Sequence, residues 1–88
     1  MITLRHIKIY KSFMGDGDGF IRSATKEEKA YMDYEHWSKI DDLIQDIRII
    51  NSGLASKDYA EVVYKKTQKY CDSEETIKQL EQLANGNW

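Results

Sequence analysis

The stretch from Tyr34 to Ile50 repeats apolar side chains every three or four residues for nearly five turns, which is the period of one helix face. Asp33 stands directly before it and can cap its first turn. A helix with a single apolar face must bury that face against other elements. We therefore predict a long central helix, with Trp37 in the core of the domain.

Shorter apolar repeats with a helical period predict further helices over residues 4–14, from Lys26, over residues 57–70 and near the end of the chain. No proline interrupts the chain. The predicted fold is all-α: one domain over residues 1–88, built as a compact bundle of four to five helices with a glycine-rich loop between the first two. The predicted caps of the later helices are Thr25, Asp33, Ser56 and Asp72.

A run of three glycines alternating with two aspartates lies between Met14 and Phe20. Glycine is costly within a helix, and Asp favours turns and helix ends, so this composition predicts a sharply turned, negatively charged loop. About ten residues would then separate the first two helices, which is longer than most bundle connections, and long loops in compact domains are often functional.

Residues 10–25 resemble an EF-hand calcium loop. In that alignment Asp16 and Asp18 take the third and fifth ligand positions, Gly19 takes the turn position and Phe20 takes the backbone-carbonyl position. The resemblance implies a weak divalent-cation site formed by Asp16, Asp18 and Phe20, and it implies no other cofactor.

The same run departs from the EF-hand pattern at two ligand positions. Met14 stands where the first aspartate is usual, and Thr25 stands where a glutamate usually supplies two oxygens. The alternative interpretation is a turn in which glycines adopt positive φ angles and the carboxylates of Asp16 and Asp18 accept from nearby backbone amides.

Size and charge limit the possible functions. A chain of 88 residues buries about 60–65% of its unfolded surface, so we expect no deep catalytic cleft and no enzyme. A net charge of −2 provides no footprint for nucleic acid, and no apolar run is long enough to suggest a membrane partner. Cys71 is the only cysteine, as expected for a cytoplasmic protein, and is interpreted as a small buried residue rather than a nucleophile. His6 and His36 are expected to cap helices or face solvent.

Three aromatic residues fall outside the apolar stripes or at the chain end: Tyr31, Tyr64 and Trp88. They either cover a thin core or form an interaction surface. The second alternative is supported by the preference of tyrosine and tryptophan for protein interfaces. We predict a protein-binding or self-associating module without catalytic activity, so that the partner is another protein or a second copy. The alternatives are a cation-responsive module and an acidic inhibitor or immunity-type protein that masks a basic target.

Overall fold

Six α-helices make up the regular structure of the computed structural model, which describes residues 1–88. The all-α class is confirmed, whereas the structure has more than the predicted four to five helices. None of the helices is both long and apolar enough to cross a membrane. In chain order the helices are α1 (Leu4–Ser12), α2 (Gly17–Ser23), α3 (Lys26–Tyr31), α4 (Tyr34–Asn51), α5 (Lys57–Tyr70) and α6 (Glu74–Ala84).

The additional helix is α2, which begins within the glycine-rich run, so the predicted ten-residue loop is wrong. Within this run only Met14 and Gly15 adopt positive φ angles, and Gly17–Ser23 is helical. The Asp16 carboxylate accepts the Asp18 N–H at 3.1 Å and so caps α2. Burial of Phe20 adds to the cap, and together they offset the cost of two helical glycines, about 1 kcal/mol each.

Helix α4 is the centre of the domain and packs against α1, α5 and α6. Its apolar stripe is buried from Trp37 to Ile47, and only 1% of the Trp37 surface is exposed. The two ends of the predicted stripe differ, since Tyr34 is exposed and Ile50 is half-buried. The Trp37 ring lies 4.6 Å from the Tyr10 ring and 4.9 Å from the Phe20 ring, measured between centroids. An aromatic cluster therefore joins α1 and α2 to the first half of α4.

The helix caps follow the sequence at most of the predicted positions. Thr25, Asp33 and Ser56 each accept a backbone N–H in the first turn of α3, α4 and α5. Helix α6 differs, because its cap is Ser73 rather than Asp72. The Asp72 carboxylate instead accepts the Thr76 hydroxyl at 2.6 Å. One turn of α6 is thus held by two adjacent side chains.

The segment before α1 is fixed by an isolated parallel bridge between Ile2 and Cys71. The Ile2 N–H donates to the Tyr70 carbonyl at 2.6 Å, and the Asp72 N–H donates to the Ile2 carbonyl at 3.0 Å. The Ile2 side chain is 1% exposed. Residues from the two ends of the sequence therefore share one core.

Helix α5 is the least buried of the long helices. Among its residues only Val63 and Thr67 are buried. Two polar side chains of α5 bind to α4 through the Asp46 carboxylate. This carboxylate accepts hydrogen bonds from the Tyr59 hydroxyl at 2.7 Å and from the Lys66 ammonium at 3.0 Å. Much of the surface of α5 is thus available to another molecule.

Candidate functional site

A groove of about 370 Å³ separates α5 from α6 and has the second half of α4 as its floor. We call it the α5–α6 groove. It is lined by Ile47, Ile50 and Asn51 of α4, by Ala60, Val63, Tyr64 and Thr67 of α5, and by Glu81 and Asn85 of α6.

The groove follows from the local sequence. Ile47 and Ile50 belong to the last turns of the apolar stripe of α4, and Ala60 is too small to fill the space above them. Helices α5 and α6 meet where Gln68 donates to the Glu74 carboxylate at 3.3 Å, close to their connection. At the far end of α4, Asn51 donates to the Asn85 side-chain oxygen at 2.7 Å. The groove is open because α5 packs on α4 without closing onto the second half of α6.

The lining of the groove is mainly apolar on the α4 and α5 sides, whereas α6 contributes the polar residues Glu81 and Asn85. Tyr64 is 63% exposed, and its hydroxyl makes no hydrogen bond within the chain. Glu81 is the one charged residue of the lining, and the three ion pairs of the protein all lie elsewhere. This arrangement can bury apolar side chains and attract a positive charge.

The predicted aromatic surface is distributed over three places. Tyr64 lies in the groove, whereas the Tyr31 hydroxyl hydrogen-bonds the Thr3 hydroxyl at 2.6 Å near the start of α1. Trp88 is 46% exposed and stacks on Tyr10, with 5.8 Å between the ring centroids. These residues have separate sets of neighbours and do not form one continuous surface.

The residues of the predicted cation site are close in sequence but have other roles in the structure. Asp16 caps α2, and Asp18 lies in the first turn of that helix. The Phe20 side chain is buried, and its carbonyl accepts the Ala24 N–H at 3.1 Å. No group of three or more His, Cys, Asp or Glu residues is arranged to hold a metal ion. The turn interpretation is confirmed for Gly15 and Asp16, and cation binding stays a prediction.

Both histidines take part in helix capping, as predicted. His6 completes a capping box with Thr3, and Asp33 accepts both the backbone N–H of His36 at 2.9 Å and its ring Nδ1–H at 2.7 Å. These bonds from His36 lower the pKa of the Asp33 carboxyl, the backbone bond contributing most. Burial lowers the pKa of His6, and the nearby His36 lowers it further.

Cys71 is buried, as predicted. Burial raises the pKa of its thiol to about 11, and the neighbouring Asp72 adds to the shift. The thiolate is the nucleophilic form of cysteine, so this thiol is almost entirely in its unreactive form near neutral pH.

Comparison of the chain with protein-family models, with curated proteins and with solved structures gives no match. Of the groove residues, sequence reasoning identified Tyr64 alone as an interaction residue. One further signal was present: the apolar and aromatic residues of α5 spread over more than one helix face, from Tyr59 through Val62 to Tyr64. Such a spread is wider than packing on α4 alone requires.

Proposed function

We propose that the protein is a binding module without catalytic activity, and that its α5–α6 groove docks a basic amphipathic helix of a partner protein. The observation that carries the proposal is the combination of an apolar floor with the unpaired carboxylate of Glu81. In helix-in-groove recognition, anchors spaced three or four residues apart bury their apolar side chains, and flanking charges select the partner.

The physical basis of binding has two parts. Ile50 and Ala60 are half-buried and the Tyr64 ring is exposed, so these residues offer apolar surface, and burying each methylene group of a partner side chain against it is worth about 0.8 kcal/mol. Glu81 would pair with a lysine or arginine on the edge of the docked helix. Helix α6 carries Glu74, Glu75 and Glu81 against Lys78 alone, so the wall formed by α6 favours a basic partner. The single buried thiol supports a cytoplasmic location.

The test uses a pair of synthetic helices of about 15 residues. One has leucines at positions i, i+3, i+4 and i+7 and lysines elsewhere, and its twin has glutamates in place of the lysines. We expect the lysine peptide to bind more tightly in calorimetry and to shift the amide resonances of Ala60, Val63 and Tyr64.

Two charge reversals make the test specific. Glu81→Lys should weaken the lysine peptide and strengthen its glutamate twin, whereas Glu61→Lys makes the same charge change on an exposed residue of α5 outside the lining and should leave both affinities unchanged. Sedimentation of the protein alone measures self-association. A stable dimer that covers Tyr64, or a lysine peptide that does not bind at millimolar concentration, would contradict the proposal.

A further inference from the structure

At the opposite end of α4 from the groove, the ring of His6 is buried between two other rings. It is 5% exposed, and its centroid lies 4.5 Å from that of Tyr31 and 4.3 Å from that of His36. The two imidazoles are stacked, with 11° between their planes. Residues of α1, α3 and α4 therefore meet at a single titratable group.

The hydrogen bonds of His6 require its neutral form. The Thr3 N–H donates to His6 Nδ1 at 2.9 Å, so this nitrogen carries no proton. The other ring nitrogen, Nε2, lies 3.2 Å from the Tyr31 carbonyl and donates to it. Protonating His6 would give the ring a second N–H, located on Nδ1. This N–H would directly face the Thr3 N–H, so the capping bond would be lost.

The groups around His6 compensate a positive charge there only in part, because burial and His36 outweigh the Tyr31 carbonyl and the Asp33 carboxylate, which favour the charged form. From α4, His36 presents its ring face, and Asp33 is already bonded to His36 Nδ1 at 2.7 Å. From α3, Tyr31 is bonded to the Thr3 hydroxyl, and the Arg5 guanidinium of α1 lies 4.3 Å above the Tyr31 ring. The amino terminus of Met1 also disfavours the charged form of His6.

We propose that Thr3, His6, Tyr31 and His36 form a pH-sensitive latch, which holds α3 and the N-terminal segment on α1 at neutral pH and opens on acidification. Helix α3 has no buried residue of its own. Two hydrogen bonds of Tyr31 hold the C-terminal end of α3 in place. The Tyr31 hydroxyl bonds the Thr3 hydroxyl, and the Tyr31 carbonyl accepts from His6 Nε2.

The direction of the pH effect follows from proton linkage. The pKa of His6 in the closed latch is lower than its usual value of 6.5, so the closed form excludes the proton that the open form accepts. The latch is fully stable above pH 6.5. It loses stability as the pH falls from there toward the lowered pKa of His6, by about tenfold in the closing equilibrium for each pH unit within that window.

Amide hydrogen exchange between pH 7.5 and 5 tests the latch. We expect the protection factors of the Thr3 and Met32 amides, corrected for intrinsic exchange, to fall about tenfold per pH unit below 6.5. The Ile44 amide in the middle of α4 serves as the reference for global unfolding and should stay better protected than Thr3 and Met32 at every pH. Constant protection at Thr3 and Met32, or protection at these two amides equal to that of Ile44, would overturn the local latch.

His6→Gln is the decisive variant. Glutamine at this position of a capping box can accept the Thr3 N–H but does not titrate, so the latch should stay closed at pH 5. His36→Gln should raise the pKa of His6 and so narrow the pH range over which the latch loses stability. The ring resonances of the wild-type protein give an independent measurement, and a His6 pKa at or above 6.5 would refute the proposal whether or not the variants fold.

Discussion

Replacing Gly15 by alanine tests how tightly the chain end closes over the start of α2. Gly15 has a φ angle of +74°, and an added Cβ would lie 3.0 Å from Trp88 Cη2 and 3.1 Å from the Tyr10 hydroxyl oxygen. Both distances are shorter than normal van der Waals contact. Tyr10 is buried and its hydroxyl donates to Asp41, so Trp88 is the group that must move.

The cost has two sources. A non-glycine residue in the left-handed region costs about 1–2 kcal/mol. Displacing Trp88 exposes a ring that is roughly half buried, which adds about 1 kcal/mol, since full burial of a large apolar side chain is worth about 1.5–3 kcal/mol. We therefore expect Gly15→Ala to lower the free energy of unfolding by about 2–3 kcal/mol.

Gly53→Ala is the matched control. Gly53 has nearly the same φ angle, +79°, but no atom lies within 4 Å of the added Cβ. It should cost only the conformational 1–2 kcal/mol, leaving a difference of about 1 kcal/mol between the two variants. Urea denaturation followed by circular dichroism measures both values. In a Trp88→Ala background the difference should shrink, as a double-mutant cycle requires. Equal costs for the two alanines in the wild-type background would refute the close packing at Gly15.

Two further predictions concern the core. Trp37→Ala should lower the free energy of unfolding by about 3–5 kcal/mol, because it removes a buried ring in contact with Tyr10 and Phe20. Urea denaturation measures this loss, and a value below about 2 kcal/mol would show that the aromatic cluster is not central. The folded protein should react with iodoacetamide at Cys71 at least about a hundredfold more slowly than the urea-unfolded chain, because the thiol pKa rises from 9.0 to about 11. Mass spectrometry follows this reaction at pH 8, and similar rates in both states would contradict the burial of Cys71.

The elements predicted correctly depend on local sequence. Helix α4 begins after Asp33 as predicted, because both its cap and its apolar stripe are encoded within the segment itself. Helix α2 was missed because its composition argues against a helix. Its stability depends on Phe20 packing against Phe13 and Trp37, and that contact exists only in the folded chain.

The candidate site was less predictable than the fold. Tyr64 was identified from its position outside the apolar stripes, but helical periodicity does not reveal whether two neighbouring helices close against each other. The groove depends on Ala60 leaving space above Ile47 and Ile50, which is a property of the packing. The latch likewise joins His6 to Tyr31 and His36, and both of these residues are far from His6 in the sequence.

The bridge between Ile2 and Cys71 has a consequence for the order of folding. It joins residues separated by most of the chain, so its formation must overcome a large loop-closure entropy before its two hydrogen bonds contribute. The hairpin of α4 and α5 involves only neighbouring segments and can form earlier. During synthesis, Ile2 has no partner until the region around Cys71 has left the ribosome. Docking of the N-terminal segment is therefore a late step, and α1 completes its packing against α6 only after α6 itself has been synthesised.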